Sequence, residues 1–228
     1  MHICPLCSSE TKATLFYQDS PGHHHPRDYY RCATCQLVFV PPVQYLSPTA
    51  EKAEYDLHQN SPNDQGYRRF LSRMFDPMQE RIVATSHTCK HGLDFGSGPG
   101  PTLSVMFEEA GHRVALYDRF YTPDDSVFGR SYDFITATEV VEHLHHPKQE
   151  LDRLWGCLKP GGYLGIMTKM VLDRAAFAKW HYKQDLTHVC FFSQATFEWI
   201  SMQWCNNIEK ATLTFVGKDV IIFQKVSR

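Results

Sequence analysis

The stretch 91-HGLDFGSGPGP-101 decides which fold this sequence predicts. An apolar run ends in a cluster of glycines and a helical pattern starts at Pro101, so the segment predicts the end of a strand followed by a helix. Glycines at such a turn let the backbone bend sharply and approach a ligand that faces backbone amides and a helix N-terminus. The pattern is also typical of a dinucleotide site, so other residues must decide between the two ligands.

Strand and helix patterns alternate after this turn and close with a hairpin. This order favours an α/β fold with a mostly parallel sheet, helices on both faces and an antiparallel pair of strands at the end. A further helix is predicted from Gly66 towards the first strand. The predicted strands are 92–96, 113–118, 133–138, 162–168 and two within 210–226, and the predicted helices are 101–110, 147–158 and 194–205.

Two Cys-x-x-Cys pairs lie near the amino end, Cys4 with Cys7 and Cys32 with Cys35, separated by 24 residues. Each pair can form a knuckle that presents two thiolates, and two knuckles supply the four ligands of a tetrahedral Zn²⁺ site. Four protein ligands leave no open position, so this zinc would be structural and would hold together a small zinc-ribbon-like β module. A disulfide framework is the main alternative. The three histidines at 23–25 are interpreted as a solvated loop.

Chain length and the positions of proline and small polar residues divide the chain into three parts. A chain of 228 residues has room for one large domain and a small module. Prolines and small polar residues predict a linker over 41–66, with a short helix near 49–58. The predicted organisation is therefore a zinc-ribbon-like module at 1–40, the linker, and a main domain at 67–228.

Composition and charge exclude several classes of protein. Hydrophobic residues make up 43% of the chain, which suits a packed core, but no apolar run reaches the roughly 18 to 20 residues of a membrane helix. A net charge of −2 gives no overall electrostatic footprint for nucleic acid. The amino end lacks the features of a secretory signal, so a cytoplasmic protein with reduced cysteines is expected. Cys89, Cys157, Cys190 and Cys205 are interpreted as buried thiols.

Further sequence motifs, beyond the glycine turn, make the resemblance to a known family specific. Asp118 lies 24 residues after Asp94, at the end of the second predicted strand, and the blocks 139-EVVEH-143 and 158-LKPGG-162 follow. In this order the blocks resemble the class I S-adenosylmethionine-dependent methyltransferases, over about residues 90–226. The resemblance implies a Rossmann-like domain that uses S-adenosylmethionine as cofactor and releases S-adenosylhomocysteine.

The resemblance also implies which residues bind the cofactor. Asp118 would bind the ribose hydroxyls, and Glu139 and Val140 would lie beside the cofactor after the next strand. The residues implied to line its methionine and ribose side are Asp94, Gly96, Ser97, Gly98 and Gly100. Alternative interpretations are that Asp94 satisfies loop amides and that Glu142 and His143 only pack beneath the site.

One departure from the family pattern concerns the third strand. Only 14 residues separate Asp118 from Asp133, too few for the usual helix, strand and adenine-contacting turn at full length. The strand is therefore expected to be short or missing. The segment 119-RFYTPDD-125 would then have to form the adenine pocket.

The acceptor site is predicted in the loop 180-WHYKQDLTHVCFF-192, because loops after the strands usually shape the acceptor pocket of this fold. His188 is the candidate general base, with Asp185 orienting it and Tyr182 as a further polar group. The alternative is that Asp185 and His188 only brace the loop. Tyr55, His58 and Tyr67 form a candidate lid, or ordinary packing.

The sequence leaves the methyl acceptor open. The chain also looks like a bacterial methyltransferase subfamily without an assigned substrate, and a small metabolite is the leading prediction because of the near-neutral charge and the aromatic loop. RNA or protein is the alternative, with the zinc module as a clamp and Arg68, Arg69, Arg73 and Arg81 as a basic face. A non-catalytic cofactor-binding protein and a dinucleotide oxidoreductase also remain. The oligomeric state is not predicted.

Overall fold

A computed structural model describes residues 2–9, 13–20, 22, 25–57, 60–85, 88–205 and 209–227. In chain order the strands are β1 (Thr14–Gln18), β2 (Asp28–Arg31), β3 (Val38–Phe39), β4 (His91–Phe95), β5 (Arg113–Tyr117), β6 (Tyr132–Thr138), β7 (Leu158–Met167), β8 (Cys190–Phe191), β9 (Glu209–Val216) and β10 (Val220–Ser227). The helices are α1 (Pro48–Tyr55), α2 (Gln65–Thr85), α3 (Thr102–Glu109), α4 (Pro147–Gly156), α5 (Arg174–Ala178) and α6 (Gln194–Gln203).

The main sheet has six strands in the order β5-β4-β6-β7-β10-β9. Its first four strands are parallel, and β10 pairs antiparallel with both β7 and β9. The Rossmann-like fold class, with its mostly parallel sheet and closing hairpin, is confirmed.

Helices cover both faces of this sheet. Alternate residues of a strand point to opposite faces, so Phe134 of β6 packs in the same cluster as α2 and α3, whereas Ile135 packs with α4 and α6. At Gly165 of β7, an added Cβ would lie 2.4 Å from Met78 of α2. The absence of a side chain there lets the methionine side chains of α2 pack against the strand.

The third strand of the family pattern is absent from the described residues. Between β5 and β6 the chain forms an isolated bridge, Asp118 with Thr122, and a short 3-10 helix, Asp125–Gly129. This agrees with the expected shortening, and it makes β5 an edge strand.

The amino-terminal sheet has four strands in the order β1-β2-β3-β8. Val38 of β3 pairs with Phe191 of β8, and the amide of Val40 donates to the carbonyl of Val189 at 2.9 Å. The fourth strand thus comes from the loop after β7, so the sheet extends beyond residues 1–40. The sequence pattern predicted neither β2 nor β8.

Some smaller expectations differ from the structure. Cys157 and Cys190 are buried, but Cys89 is exposed and Cys205 is half-buried. The prediction for Cys89 is wrong because this residue lies on the connection from α2 to β4, outside the packed layers. His23, His24 and His58 lie outside the described residues. In the part of the chain that the structure describes, no helix has the length and apolar character to cross a bilayer.

Candidate active site

A cavity of about 770 Å³ lies at the carboxyl ends of β4, β5 and β6. It is lined by residues of the glycine turn, the linker and the loop after β7. The candidate site residues among them are Gly96, Ser97, Gly98, Asp118, Glu139, Val140, Tyr182, Asp185 and His188. Asp94 and Gly100 are not among the lining residues.

The glycine turn is shaped by two positive φ angles and two close contacts. Gly96 has φ +75° and Gly98 has φ +63°, a region that favours glycine. A Cβ added to Gly96 would lie 2.4 Å from Val140, and one added to Gly100 would lie 2.1 Å from the carbonyl oxygen of Asn60. The linker therefore presses directly on the turn.

Asp118 connects the glycine turn with the segment that follows β5. Its Oδ2 accepts a hydrogen bond from the amide of Gly98 at 3.0 Å. Its Oδ1 accepts from the amides of Phe120 at 2.8 Å and Tyr121 at 3.1 Å. A carboxylate offers about four acceptor positions, so the three amides leave about one further position for a ligand hydroxyl.

Asp94 lies behind the cavity wall. The Thr136 hydroxyl donates to its Oδ1 at 2.9 Å, so this partner is on the neighbouring strand, whereas the alternative interpretation named the loop amides. Burial raises the pKa of Asp94 to about 7, because desolvation penalises the charged form.

The segment 119–121 forms the cavity wall next to Asp118, where the adenine pocket was expected. Arg119, Phe120 and Tyr121 all line the cavity. The ring of Phe120 lies 5.7 Å from that of Tyr55 in α1. Helix α1 thus closes the cavity from the linker side.

Of the candidate lid residues, Tyr55 and Tyr67 line the cavity. The Tyr55 hydroxyl donates to Glu51 Oε1 at 2.9 Å, and burial raises the pKa of Tyr67 to about 12. Glu51 is 2% exposed. The sequence analysis did not single out Glu51, because it is one acidic residue in a short polar helix.

Tyr182 holds two glutamates at the other end of the cavity. Its hydroxyl contacts Glu142 Oε1, Glu139 Oε2 at 3.2 Å and Thr168 Oγ1 at 3.3 Å. Burial raises the pKa of Tyr182 far above its usual range, so the phenol keeps its proton and acts as a donor. Burial, and next the charge of Glu139, raises the pKa of Glu142 to about 8.

His188 is buried, and one of its ring nitrogens is already bonded. Its Nδ1 lies 2.7 Å from the carbonyl oxygen of Tyr182, so Nδ1 carries the hydrogen and donates it. Burial lowers the pKa of His188, which keeps the ring neutral with a lone pair on Nε2. Asp185 Oδ2 lies 3.6 Å from Nε2. The Tyr182 carbonyl therefore orients the ring, a role that the sequence analysis gave to Asp185.

Glu142 and His143 join His188 in one cluster. They lie on the 3-10 helix Val141–His143, and the carboxylate and ring ligand atoms of the three residues lie within 4.8 Å of one another. The Val189 amide donates to the Glu142 carbonyl at 2.8 Å, which ties the two chain segments together. Sequence reasoning missed this grouping because 44 residues separate His143 from His188.

Arg27 of the amino-terminal module fixes the loop that carries His188. Its guanidinium donates to the carbonyls of His188 at 2.7 Å, Leu186 at 2.9 Å and Lys183 at 3.3 Å. Lys183 also forms a buried ion pair with Asp19 at 2.6 Å. The module is thus bonded to the predicted acceptor loop, a contact that the sequence pattern did not predict.

The four amino-terminal cysteines form a compact cluster. Cys4 and Cys35 have their sulfurs 3.5 Å apart, and those of Cys7 and Cys32 are 3.4 Å apart. These separations exceed a disulfide bond of about 2.05 Å. Four thiolates around a zinc ion at about 2.3 Å would lie about 3.8 Å apart, so the donor set and its spacing fit Zn²⁺.

Comparison with known families agrees with this geometry. A family described as a methyltransferase domain matches residues 59–203 of the chain, which is well over half of its length. The chain belongs to this methyltransferase family. It is an S-adenosylmethionine-dependent methyltransferase, and the matched residues contain the glycine turn and the whole acceptor loop. No curated protein matches the sequence.

Solved methyltransferase structures are similar in fold at low sequence identity. An S-adenosylmethionine-dependent methyltransferase of Archaeoglobus fulgidus is 15% identical, with 69% of this chain and 93% of that chain covered and a TM-score of 0.47. The 1,6-didemethyltoxoflavin-N1-methyltransferase of Burkholderia thailandensis, with S-adenosylhomocysteine bound, is 14% identical, with 92% and 98% covered and a TM-score of 0.46. An O-methyltransferase family protein of the same species is 14% identical, with 78% and 63% covered and a TM-score of 0.46.

Proposed function

We propose that this methyltransferase transfers the methyl group of S-adenosylmethionine to an O, N or C nucleophile of a small molecule. The observation that carries the proposal is the cavity, which joins the glycine turn and Asp118 to Tyr182 and His188 in one space. Its volume of about 770 Å³ falls in the range of small-molecule sites. Cofactor and acceptor would share it end to end.

The cofactor is proposed to lie at the glycine-turn end. Gly96, Ser97 and Gly98 would approach its methionine and ribose parts, and Asp118 would accept hydrogen bonds from the ribose hydroxyls. Val140, which packs on Gly96, and Glu139, the residue before it, would lie beside it. We assign Asp94 and Gly100 to support of the turn from behind.

The acceptor is proposed to bind at the His188 end. His188 Nε2 offers the lone pair that activates the nucleophile, in the simplest form by taking its proton. Tyr182, which stays protonated, would donate hydrogen bonds, and Asp185 would lie close enough to stabilise positive charge on the ring. Methyl transfer from a sulfonium also gains much of its rate from in-line positioning.

Cys4, Cys7, Cys32 and Cys35 are proposed to hold a structural Zn²⁺. Four thiolates complete its coordination and leave no position for a substrate. We propose that the zinc keeps the amino-terminal sheet folded, and through Arg27 the acceptor loop. A cytoplasmic location, where thiols stay reduced, suits this ligand set.

A small acceptor is favoured over RNA because three of the four arginines of α2 have partners within the chain. Arg68 pairs with Glu109, Arg73 pairs with Asp219, and Arg81 donates to the carbonyl of Pro77 at 2.7 Å. Phosphate binding needs cationic groups that are available to the backbone of the nucleic acid. These three arginines are engaged elsewhere.

The proposal is tested by incubating the purified zinc-loaded protein with methyl-labelled S-adenosylmethionine and cell extract, and by counting label in the small-molecule, RNA and protein fractions. Label in small molecules is expected, and it should disappear when His188→Ala replaces the wild type. The matched control is His91→Ala, which changes an exposed histidine at the amino end of β4, outside the cavity. Label that appears only in RNA or protein would overturn the small-acceptor assignment.

A further inference from the structure

We propose that Glu142, His143 and His188 bind a divalent metal ion that holds and acidifies the acceptor. The inference rests on the proposed function and specifies how the acceptor is activated. It starts from the cluster at the His188 end of the cavity, where one carboxylate and two imidazoles have ligand atoms within 4.8 Å of one another. A metal ion at bonding distance of about 2.0–2.2 Å from each draws such atoms together.

His188 has the hydrogen-bond arrangement of a metal-binding histidine. Such a residue usually donates its second ring N–H to a carbonyl or carboxylate, which fixes the tautomer and the ring plane. Nδ1 of His188 does so to the Tyr182 carbonyl at 2.7 Å. Nε2 is therefore the ring nitrogen that remains for a metal ion, and Asp185 at 3.6 Å is beyond normal hydrogen-bond distance.

Glu142 supplies the independent observation that a cation belongs here. It is 0% exposed, and its Oε2 has no hydrogen-bond partner among the described residues. A buried carboxylate oxygen without a partner is costly. Its other oxygen is held by the Tyr182 hydroxyl, which matches the supporting bond of a ligating carboxylate.

Two backbone bonds keep the three ligands together. The amide of His143 donates to the carbonyl of Val140 at 3.0 Å, which sets Glu142 and His143 side by side. The amide of Val189 donates to the carbonyl of Glu142 at 2.8 Å, which places His188 against them. The His143 and His188 rings meet at 4.6 Å between centroids.

The ligand set indicates which metals fit. Imidazole with carboxylate suits Mn²⁺, Fe²⁺, Co²⁺, Ni²⁺ or Zn²⁺, whereas Mg²⁺ and Ca²⁺ prefer oxygen ligands throughout. Three protein ligands leave coordination positions open towards the cavity, unlike the closed four-cysteine cluster. The fitting acceptor is therefore a small molecule with a metal-binding hydroxyl, phenol or similar donor.

The site also lies at a suitable place for methyl transfer. Tyr182 connects Glu142 to Glu139, and Val140 packs on Gly96 of the glycine turn. A metal-bound hydroxyl releases its proton to water more readily than a free one. Its oxygen then forms a bond to the methyl carbon, the sulfur–methyl bond breaks with its electron pair on sulfur, and neutral S-adenosylhomocysteine leaves.

The experiment is a Mn²⁺ titration of the full chain loaded with one Zn²⁺ per chain, so that the four cysteines take the zinc and the cavity cluster stays open. S-Adenosylhomocysteine is present, and electron paramagnetic resonance measures free Mn²⁺. Mn²⁺ prefers harder ligands than four thiolates, so it reports on the cavity cluster. One Mn²⁺ per chain is expected. Glu142→Gln and His188→Ala should weaken binding by more than about tenfold, the least that losing a supporting partner costs.

His91→Ala, at an exposed histidine outside the cavity, is the matched control and should bind Mn²⁺ like the wild type. If His188→Ala fails to fold, His143→Ala provides the same test at a half-buried position. Absence of stoichiometric Mn²⁺ binding in the wild type, or equal binding in all variants, would overturn the metal site. Methyl transfer to small molecules without metal binding would leave the proposed function in place, with His188 as a base.

Discussion

The two ends of the cavity are built from different parts of the chain. At the cofactor end, a short contiguous turn supplies backbone amides, and its shape depends on glycine geometry at Gly96 and Gly98. At the acceptor end, side chains come from a loop that Arg27 of the amino-terminal module holds by its carbonyls. One end is thus formed by local sequence, and the other by a contact between residues more than 150 positions apart.

Cofactor binding and acceptor binding should therefore be separable. Damage to the module should remove the acceptor end and leave the cofactor end, whereas a change at the glycine turn should do the reverse.

Loss of the four-cysteine cluster should have the largest effect. In Cys32→Ser with Cys35→Ser, the module loses metal binding whose free energy is part of its folding free energy, on the order of 10 kcal/mol. Labelled methyl transfer should fall at least about a hundredfold, whereas affinity for S-adenosylhomocysteine in calorimetry should change less than about threefold. Cys89→Ser, at an exposed cysteine, is the control. An equal loss of methyl transfer and of affinity for S-adenosylhomocysteine would show that the two ends are not separable.

Arg27→Met should come next. Arg27 is 4% exposed, and its removal leaves several buried carbonyls without donors, so we expect the free energy of unfolding in urea to fall by about 4 kcal/mol. Arg31→Met changes an exposed arginine four residues further along the chain, at the end of β2, whose guanidinium lies over the Phe16 ring; it should cost about 1 kcal/mol or less. Similar losses in the two variants would contradict the bonds assigned to Arg27.

Asp94 should make stability depend on pH. Its pKa is raised from 3.8 to about 7 in the folded protein, so the folded state holds a proton that the unfolded state has released. Its contribution is complete below the unfolded pKa and is lost as pH rises through about 7. Relative to Asp94→Asn, the wild type should lose up to about 3 kcal/mol between about pH 5 and 8.

Urea unfolding at several pH values measures this difference. Asp133→Asn is a useful control, because the pKa of Asp133 is lowered and its contribution is already complete above pH 5. A wild-type curve parallel to that of Asp94→Asn would show that Asp94 is ionised when folded.

Asp118→Ala should have the smallest of these effects and should act on the cofactor end alone. It removes the acceptor for three loop amides and the proposed bonds to ribose, so affinity for S-adenosylhomocysteine should weaken by about 2 kcal/mol. Asp124→Ala, which removes a cap at Ser126, is the control. Unchanged calorimetric affinity in Asp118→Ala would remove this residue from the ribose site.

The sequence predicted the main sheet well because its signals are local. Each strand of the parallel part carries its own apolar run, and the glycine turn has few alternative conformations, so their positions followed from short windows. The missing third strand followed from simple counting between Asp118 and Asp133. These predictions needed no knowledge of which distant residues meet.

The acceptor end could be predicted only in part, for physical reasons. His188 stood out by its residue type, but its orientation depends on a backbone carbonyl, which every residue has. Glu142 acquires its unusual environment through complete burial, and strand β8 is only two residues long and forms because β3 offers it an edge. Such properties arise from tertiary packing and leave no periodic pattern.

Arg27 holds the acceptor loop through main-chain atoms, and this has a consequence for evolution. A carbonyl oxygen is the same whatever side chain its residue carries, so Leu186 and its neighbours can be exchanged without removing the bonds that fix the loop. The backbone conformation of the loop can therefore be kept while its side chains change. Relatives of this protein could change their substrates by substitutions in the loop while the amino-terminal module keeps the backbone in place.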